Sequence, residues 1–145
     1  MPVHFFNASQ QKAILDSIRL AETNTSGEIR LHIENTCPYE LLDRAADVFA
    51  MLHMHETDLR NGVLFYLSIE DRKFAILGDA GINSKVTGNF WEGIREEMAK
   101  EFKLARFTEG LCKGIEKAGM KLREHFPYQK NDINELPDDI SFNQN

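Results

Sequence analysis

Residues 62–78 decide the fold, and they read GVLFYLSIEDRKFAILG. The first part, 62–69, is an almost uninterrupted apolar run, which is typical of a central strand that other elements cover on both faces. Residues 70–72 are all charged and predict a turn, and residues 73–78 predict the hairpin partner of the first strand. Because the connection between them is so short, we expect the two strands to pair antiparallel.

The segment before this hairpin supplies another strand and a long connection. Residues 28–34 read EIRLHIE, in which isoleucine or leucine alternates with charged or histidine side chains. This alternation predicts a strand with one apolar and one wetter face, near an edge of the sheet. Residues 35–61 contain an apolar helix face that begins near Pro38 and ends near His53. A crossover of this length predicts a parallel, right-handed connection to the strand at 62–69.

Three further segments have the apolar spacing of helices, and the order of the elements indicates the fold class. These segments are residues 7–22, 87–104 and 108–125. Strands interleaved with helices imply a sheet that is covered on both faces. We therefore predict an α/β protein, a three-layer α/β/α sandwich with a small mixed central sheet of about four strands.

The end of the chain differs in composition from the rest. From Pro127 onward it is polar and carries four acidic residues against one lysine. The net charge of this segment is half that of the whole chain. A segment of this composition has little apolar surface to bury. We predict a single domain over residues 1–126 and an acidic polar tail over residues 127–145 that stays outside the core.

The overall composition narrows the classes of function. The chain has 145 residues, a formal net charge of −6, 42% hydrophobic residues and 28% charged residues. A negative chain argues against nucleic-acid binding, which uses a basic patch to neutralise phosphates, whereas acidic surfaces suit divalent cations or basic partners. There is no long apolar run and no leader pattern, so we expect no membrane span and a cytoplasmic location. We expect Cys37 and Cys112 to be reduced thiols, and the protein to be a monomer.

Two polar connections are predicted to meet at one edge of the sheet. Residues 53–61 precede one strand of the hairpin and residues 79–85 follow the other, and these two ends of an antiparallel pair are adjacent. They carry five oxygen-bearing side chains, those of Glu56, Asp58, Asn61, Asp79 and Asn83. Such ligands suit a hard cation, either calcium or magnesium. Glu34 ends the strand at 28–34 and is expected at the opposite end, which makes it a weaker candidate.

The same residues also have a purely structural interpretation. Asp, Asn and Gly are common in turns because their side chains or backbones satisfy local hydrogen bonds. The spacing from Asp79 to Asn83 is not that of an EF-hand loop. His53 and His55 lie two residues apart, but two histidines do not complete a tetrahedral metal site. The spacing alone leaves a cation site and ordinary turn chemistry both open.

Several short motifs together resemble those of the TPM domain family. They lie at residues 26–29 (SGEI), 60–64 (RNGVL), 70–73 (EDRK), 78–83 (GDAGIN) and 109–111 (EGL). The resemblance implies an α/β/α fold whose crossing loops hold a divalent metal, usually calcium. Members of the family include a thylakoid-lumen protein with acid phosphatase activity, a photosystem repair factor and a receptor modulator. Most members are exported and membrane-anchored, whereas this chain looks like a stand-alone version.

The resemblance also implies a set of metal ligands and a function. Family loops commonly place a glutamate where this chain has Asn83, which removes one charge here. The predicted function is a divalent-metal-binding domain whose ion stabilises or switches the crossing loops. The alternatives are a metal-assisted acid phosphatase, in which Arg60 or Lys73 holds the phosphate, and a protein-interaction scaffold without metal. The implied calcium or magnesium site has a core of Asp79, Asn83 and Asn61, with Glu34, Glu56 and Asp58 as further ligands.

Overall fold

The structure is a computed structural model that describes residues 5–128 and 140–143. Five helices and four strands make up the described chain, together with a 3-10 helix at Met54–Glu56. Their order is α1 (Ala8–Ala21), β1 (Glu28–Glu34), α2 (Leu41–Met51), β2 (Gly62–Ser68), β3 (Lys73–Gly78), α3 (Ala80–Asn83), α4 (Gly88–Lys103), α5 (Phe107–His125) and β4 (Ile140–Asn143).

The four strands form one mixed sheet in the order β3-β2-β1-β4. Strand β1 runs parallel to β2, with Glu28 opposite Gly62 and Glu34 opposite Ser68. Strand β3 pairs antiparallel with β2, and β4 pairs parallel with β1. The predicted mixed sheet is confirmed, including the parallel crossover and the hairpin.

Helices cover both faces of the sheet, so the predicted α/β/α sandwich is confirmed as well. On one face, the isoleucines and leucine of β1 pack with Phe65 and with the apolar sides of α1, α4 and α5 in one buried cluster. On the other face, Val48 and Phe49 of α2 and Met54 pack with Leu64 of β2 in a second cluster. Among the described residues, no helix is both long and apolar enough to cross a lipid bilayer.

The position of β1 differs from the prediction. It is an inner strand with β2 on one side and β4 on the other, and all seven of its residues are buried. Its polar side chains are therefore not a wetter face at an edge of the sheet. Two of them, His32 and Glu34, are hydrogen-bonded to each other and to side chains of α2, β2 and β4.

The end of the chain also differs from the prediction in one respect. Ile140–Asn143 form a strand of the sheet. The side chain of Ile140 belongs to the main core and is only 5% exposed. The expectation that everything after Pro127 stays outside the core is wrong for these four residues. The rest of the predicted tail, residues 129–139 and 144–145, lies outside the described residues. The domain boundary at residue 126 stays a prediction.

Candidate functional site

The two polar connections meet where the sequence places them, at the end of the sheet where β2 begins and β3 ends. We call this region the loop corner; it consists of residues 53–61, Asp79 and α3. Backbone bonds join its two halves: Asp79 N–H donates to Gly62 O at 2.9 Å, and Gly81 N–H donates to Arg60 O at 2.7 Å. Residues 80–83 are a short helix rather than the predicted loop.

Close backbone contact explains why the corner has its sequence. A Cβ at Gly81 would overlap the carbonyl oxygen of Leu59 and lie 2.5 Å from that of Arg60. Arg60 itself adopts the left-handed backbone conformation, with φ 51°, which turns its carbonyl toward α3. A glycine at position 81 therefore allows the two connections to touch.

Asp79 is the central carboxylate of the corner and is 7% exposed. It caps α3 by accepting a hydrogen bond from Ala80 N–H at 2.8 Å. The Arg60 guanidinium donates a hydrogen bond to each of its oxygens, from Nε to Oδ2 and from Nη2 to Oδ1, both at 2.7 Å. Burial disfavours ionisation of Asp79, but the hydrogen bonds from Arg60 and Ala80 outweigh it and hold the pKa below its usual value.

The two predicted amide ligands fasten the corner to its surroundings. Asn61 is buried, and its Nδ2 donates to Ser26 Oγ at 3.2 Å. Asn83 Nδ2 donates to Gly78 O at 2.7 Å, while its Oδ1 accepts from Trp91 Nε1 at 2.9 Å. Both amides therefore have structural partners in this conformation.

The acidic side chains of the 53–61 connection lie at the surface. Glu56 pairs with His53 at 2.6 Å, and both are largely exposed. Asp58 is exposed as well. In the described parts of the chain, no three His, Cys, Asp or Glu side chains are grouped as metal ligands. Thr57, between Glu56 and Asp58 in the sequence, has a buried hydroxyl with no hydrogen-bond partner among the described residues.

Glu34 does not belong to the loop corner. It pairs with Ser68 at the far end of β2, whereas the corner lies beyond the Glu28–Gly62 end. Six residue steps along a strand separate two points by about 20 Å. Glu34 and Asp79 therefore cannot share one ion, and the structure removes Glu34 from the predicted ligand set.

Glu34 instead lies at the centre of a second group of polar residues. We call it the β1 polar cluster: His32, Glu34, Arg44, Tyr66 and Ser141. Arg44 donates to Glu34 from Nε at 2.9 Å and from Nη2 at 2.8 Å, and the Tyr66 hydroxyl donates to the same carboxylate. Burial opposes the charge on Glu34, but these donors together with His32 lower its pKa to about 2. Burial and Glu34 raise the pKa of Tyr66.

His32 links this carboxylate to the last strand. Its Nε2 lies 3.1 Å from Glu34 Oε1 and its Nδ1 lies 2.9 Å from Ser141 Oγ. The imidazole is 3% exposed, and burial lowers its pKa against the opposing effect of Glu34. No sequence motif predicts this cluster. The one sequence feature that indicates a buried polar group is Arg44, whose charge lies on the otherwise apolar face of α2, between Leu41 and Val48.

Fold and site together define a class of protein: a small α/β/α domain with two crossing connections at one end of a mixed sheet. The family model of the TPM domain matches residues 2–121. The chain belongs to the TPM domain family, as the sequence motifs indicate.

Three NMR structures are similar to this chain. The BA42 protein of the psychrophilic bacterium Bizionia argentinensis is 51% identical, with a TM-score of 0.90 over 97% of each chain. The N-terminal domain of a P. gingivalis protein is 16% identical, with a TM-score of 0.70 over 87% of this chain and 83% of that one. An N-terminal domain from Corynebacterium glutamicum is 11% identical, with a TM-score of 0.65 over 81% and 74%. The last two show the fold alone. A comparison with curated proteins finds no match.

Proposed function

We propose that this chain is a monomeric, cytoplasmic divalent-cation-binding domain, with a calcium-type or magnesium ion at the loop corner. Asp79 is the anchoring carboxylate, and the ion competes with Arg60 for it. Binding ties the 53–61 connection to α3 and so stabilises or switches the crossing loops.

The observation that carries this proposal is the Arg60–Asp79 pair. The planar guanidinium occupies both carboxylate oxygens, so a positive charge already lies where a cation would bind. The Arg60 side chain is 50% exposed, and solvent can accept its charge when it moves away. Asp79 cannot follow, because it caps α3 and its own backbone N–H is bonded to Gly62.

The donor atoms of the corner suit a hard cation. They are oxygens, from Asp79, from the amides of Asn61 and Asn83, and from the acids of the 53–61 connection. The Thr57 hydroxyl adds a buried oxygen that has no protein partner in the described chain. Calcium accepts irregular sets of six to eight oxygens, and its affinity falls as the number of charged ligands falls. With one buried carboxylate, we expect a dissociation constant on the order of 10⁻⁴ to 10⁻³ M.

Thermal and chemical unfolding with calcium, with magnesium and with a chelator tests the proposal. An ion that binds only the folded protein stabilises it by RT ln(1 + [L]/Kd), about 1.4 kcal/mol at a tenfold excess over Kd. We expect this gain in the unmodified protein and its loss in Asp79→Asn. Arg60→Gln should bind the ion several-fold more tightly, because the competing charge is gone.

The control is Asp16→Asn, which removes the same charge from an exposed pair with Lys12 on α1. It should keep the full response to the ion. The proposal fails if calcium and magnesium leave the unfolding midpoint of the unmodified protein unchanged at millimolar concentration, or if Asp79→Asn responds as strongly as the control.

The two alternative functions gain no support of their own. The phosphatase prediction assigns phosphate binding to Arg60 or Lys73, but Arg60 is bound to Asp79. Lys73 lies opposite Ser68 at the other end of the hairpin, too far away to share a phosphate with a metal at Asp79. The scaffold prediction rests on the acidic tail, which lies mainly outside the described residues, or on a wetter face of β1, whose residues are all buried.

A further inference from the structure

We propose that Ser141 is an activated nucleophile for acyl transfer from small carboxylic esters, with His32 as its general base and Glu34 as the positioning residue. This site lies at the opposite end of the sheet from the loop corner, so the proposal stands apart from cation binding.

The strand pairing brings the three side chains into line. Strand β4 runs parallel to β1 with Ser141 opposite His32 and Asn143 opposite Glu34. Ser141 Oγ lies 2.9 Å from His32 Nδ1, and His32 Nε2 lies 3.1 Å from Glu34 Oε1. A hydroxyl, an imidazole and a carboxylate in hydrogen-bonded succession are the arrangement of nucleophile, base and orienting group in covalent acyl-transfer catalysis.

The surroundings of Glu34 determine where the imidazole proton lies. Two nitrogens of Arg44 and the hydroxyl of Tyr66 donate to this carboxylate, so Glu34 is ionised and can only accept. The neutral His32 ring must therefore carry its hydrogen on Nε2, which donates to Glu34. Its Nδ1 has a free lone pair, and the Ser141 hydroxyl donates to it. This is the proton arrangement that a general base needs before it deprotonates a serine.

The location suits a ligand. Open sheets bind ligands beyond the carboxyl ends of their parallel strands. Strands β1, β2 and β4 end together at Glu34, Ser68 and Asn143, two residues beyond the His32–Ser141 pair. His32 and Glu34 are buried, whereas Ser141 is only partly buried. The hydroxyl is thus the end of the chain of hydrogen bonds that a substrate can reach.

The proposed reaction balances without a cofactor. Ser141 Oγ forms a bond to the ester carbonyl carbon while its proton passes to His32 Nδ1. The ester C–O bond then breaks, and the alcohol leaves with that proton. Water, deprotonated by His32, attacks the acyl-serine, which releases the carboxylic acid and restores the Ser141 hydroxyl.

The opposing interpretation is that these hydrogen bonds only fasten β4 to β1, and a reactivity measurement separates the two. A fluorophosphonate probe forms a P–O bond with an activated serine and releases fluoride. We expect it to label the native full-length protein at Ser141, identified by peptide mass mapping, and to leave the urea-unfolded protein unlabelled. Acetylation of the same residue by p-nitrophenyl acetate would establish the ester class. Imidazole ¹⁵N spectra should show His32 protonated on Nε2 at neutral pH, which tests the positioning role of Glu34.

His32→Gln should slow labelling on the order of a hundredfold, the typical contribution of a general base. Ser84→Ala, which removes an exposed hydroxyl bonded only to a backbone carbonyl, should leave labelling unchanged. Native protein that is not labelled at Ser141, or that is labelled equally before and after unfolding, overturns the proposal. Because this result needs no variant, it holds even if His32→Gln does not fold. A negative labelling result would leave the expected cation response at Asp79 unchanged, so the two proposals can fail separately.

Discussion

At the scale of single residues, Glu34 and Arg44 form an ion pair that is buried in the described structure. Taking two opposite charges out of water costs several kcal/mol for each ion, and that cost is offset only when every lone pair finds a donor. Glu34 meets this condition through Arg44, Tyr66 and His32. The pair is therefore stable as a unit, but either member alone would be a buried, uncompensated charge.

We expect Arg44→Met to lower the free energy of unfolding by about 3–5 kcal/mol, because Glu34 would keep its burial and lose its counter-charge. Urea unfolding at neutral pH measures this change. Arg95→Met is the matched control, since Arg95 forms an exposed pair with Glu92 and pairs of that kind are worth less than about 1 kcal/mol. Equal losses in the two variants would show that Arg44 contributes only as a surface side chain.

The same carboxylate makes stability depend on pH. Glu34 has a pKa of about 2 in the folded protein against an ordinary value of 4.5. The unfolded chain therefore binds the proton more readily, so the stabilisation is complete above about pH 5 and is lost as pH falls toward 2. The loss should reach about 3 kcal/mol. Buried His32 acts in the same direction at higher pH, because its pKa is also lowered.

Urea unfolding between pH 7 and pH 2.5 measures this dependence. Glu34→Gln, which cannot ionise, should be less stable at neutral pH and should lose less of its remaining stability on acidification. If it follows the unmodified protein over the whole range, other carboxylates cause the acid sensitivity.

At the scale of elements, the contact of α3 with the 53–61 connection decides whether the loop corner forms. Gly81→Ala places a methyl group against two carbonyl oxygens, those of Leu59 and Arg60, and backbone at a crossing cannot move aside cheaply. We expect it to lower the melting temperature and weaken any response to calcium. Gly93→Ala is the control: it has open space around its Cβ within α4 and should stabilise the protein by about 0.5–1 kcal/mol. A Gly81→Ala protein that melts like the Gly93→Ala protein would contradict the close packing.

The helices and strands also show which parts of the fold can be predicted from the sequence. The bounds of β1 and β3 follow from their apolar patterns, and the meeting of the two connections follows from the direction of the hairpin. The four residues of α3 are too few for helical periodicity to detect. Alternation in β1 shows that two faces differ, but a face bound to Arg44 and a face in water have the same pattern. The β1 polar cluster depends on residues from β1, α2, β2 and β4, so only the tertiary structure can bring it together.

At the scale of the whole molecule, β4 attaches the C-terminal segment to β1, an inner strand of the sheet. A four-residue strand in a polar segment has almost no pattern of its own, and its pairing depends on the edge that β1 leaves open. Ile140 and Phe142 face the main core, while Ser141 faces His32. Strand β4 thus contributes to both sides of the sheet, and the fold and the proposed serine site depend on it together.

Removing β4 tests this dependence and the domain boundary at residue 126. A chain that ends at residue 139 lacks the buried side chain of Ile140, and burial of an isoleucine contributes about 1.5–3 kcal/mol. We expect the free energy of unfolding to fall by at least about 2 kcal/mol. The amides of Leu31 and Ile33, which point toward β4, should exchange faster because their parallel partner is gone. Unfolding in urea and amide exchange followed by NMR measure the two effects. Unchanged stability and exchange would instead support a domain that is complete at residue 126, to whose stability β4 contributes nothing.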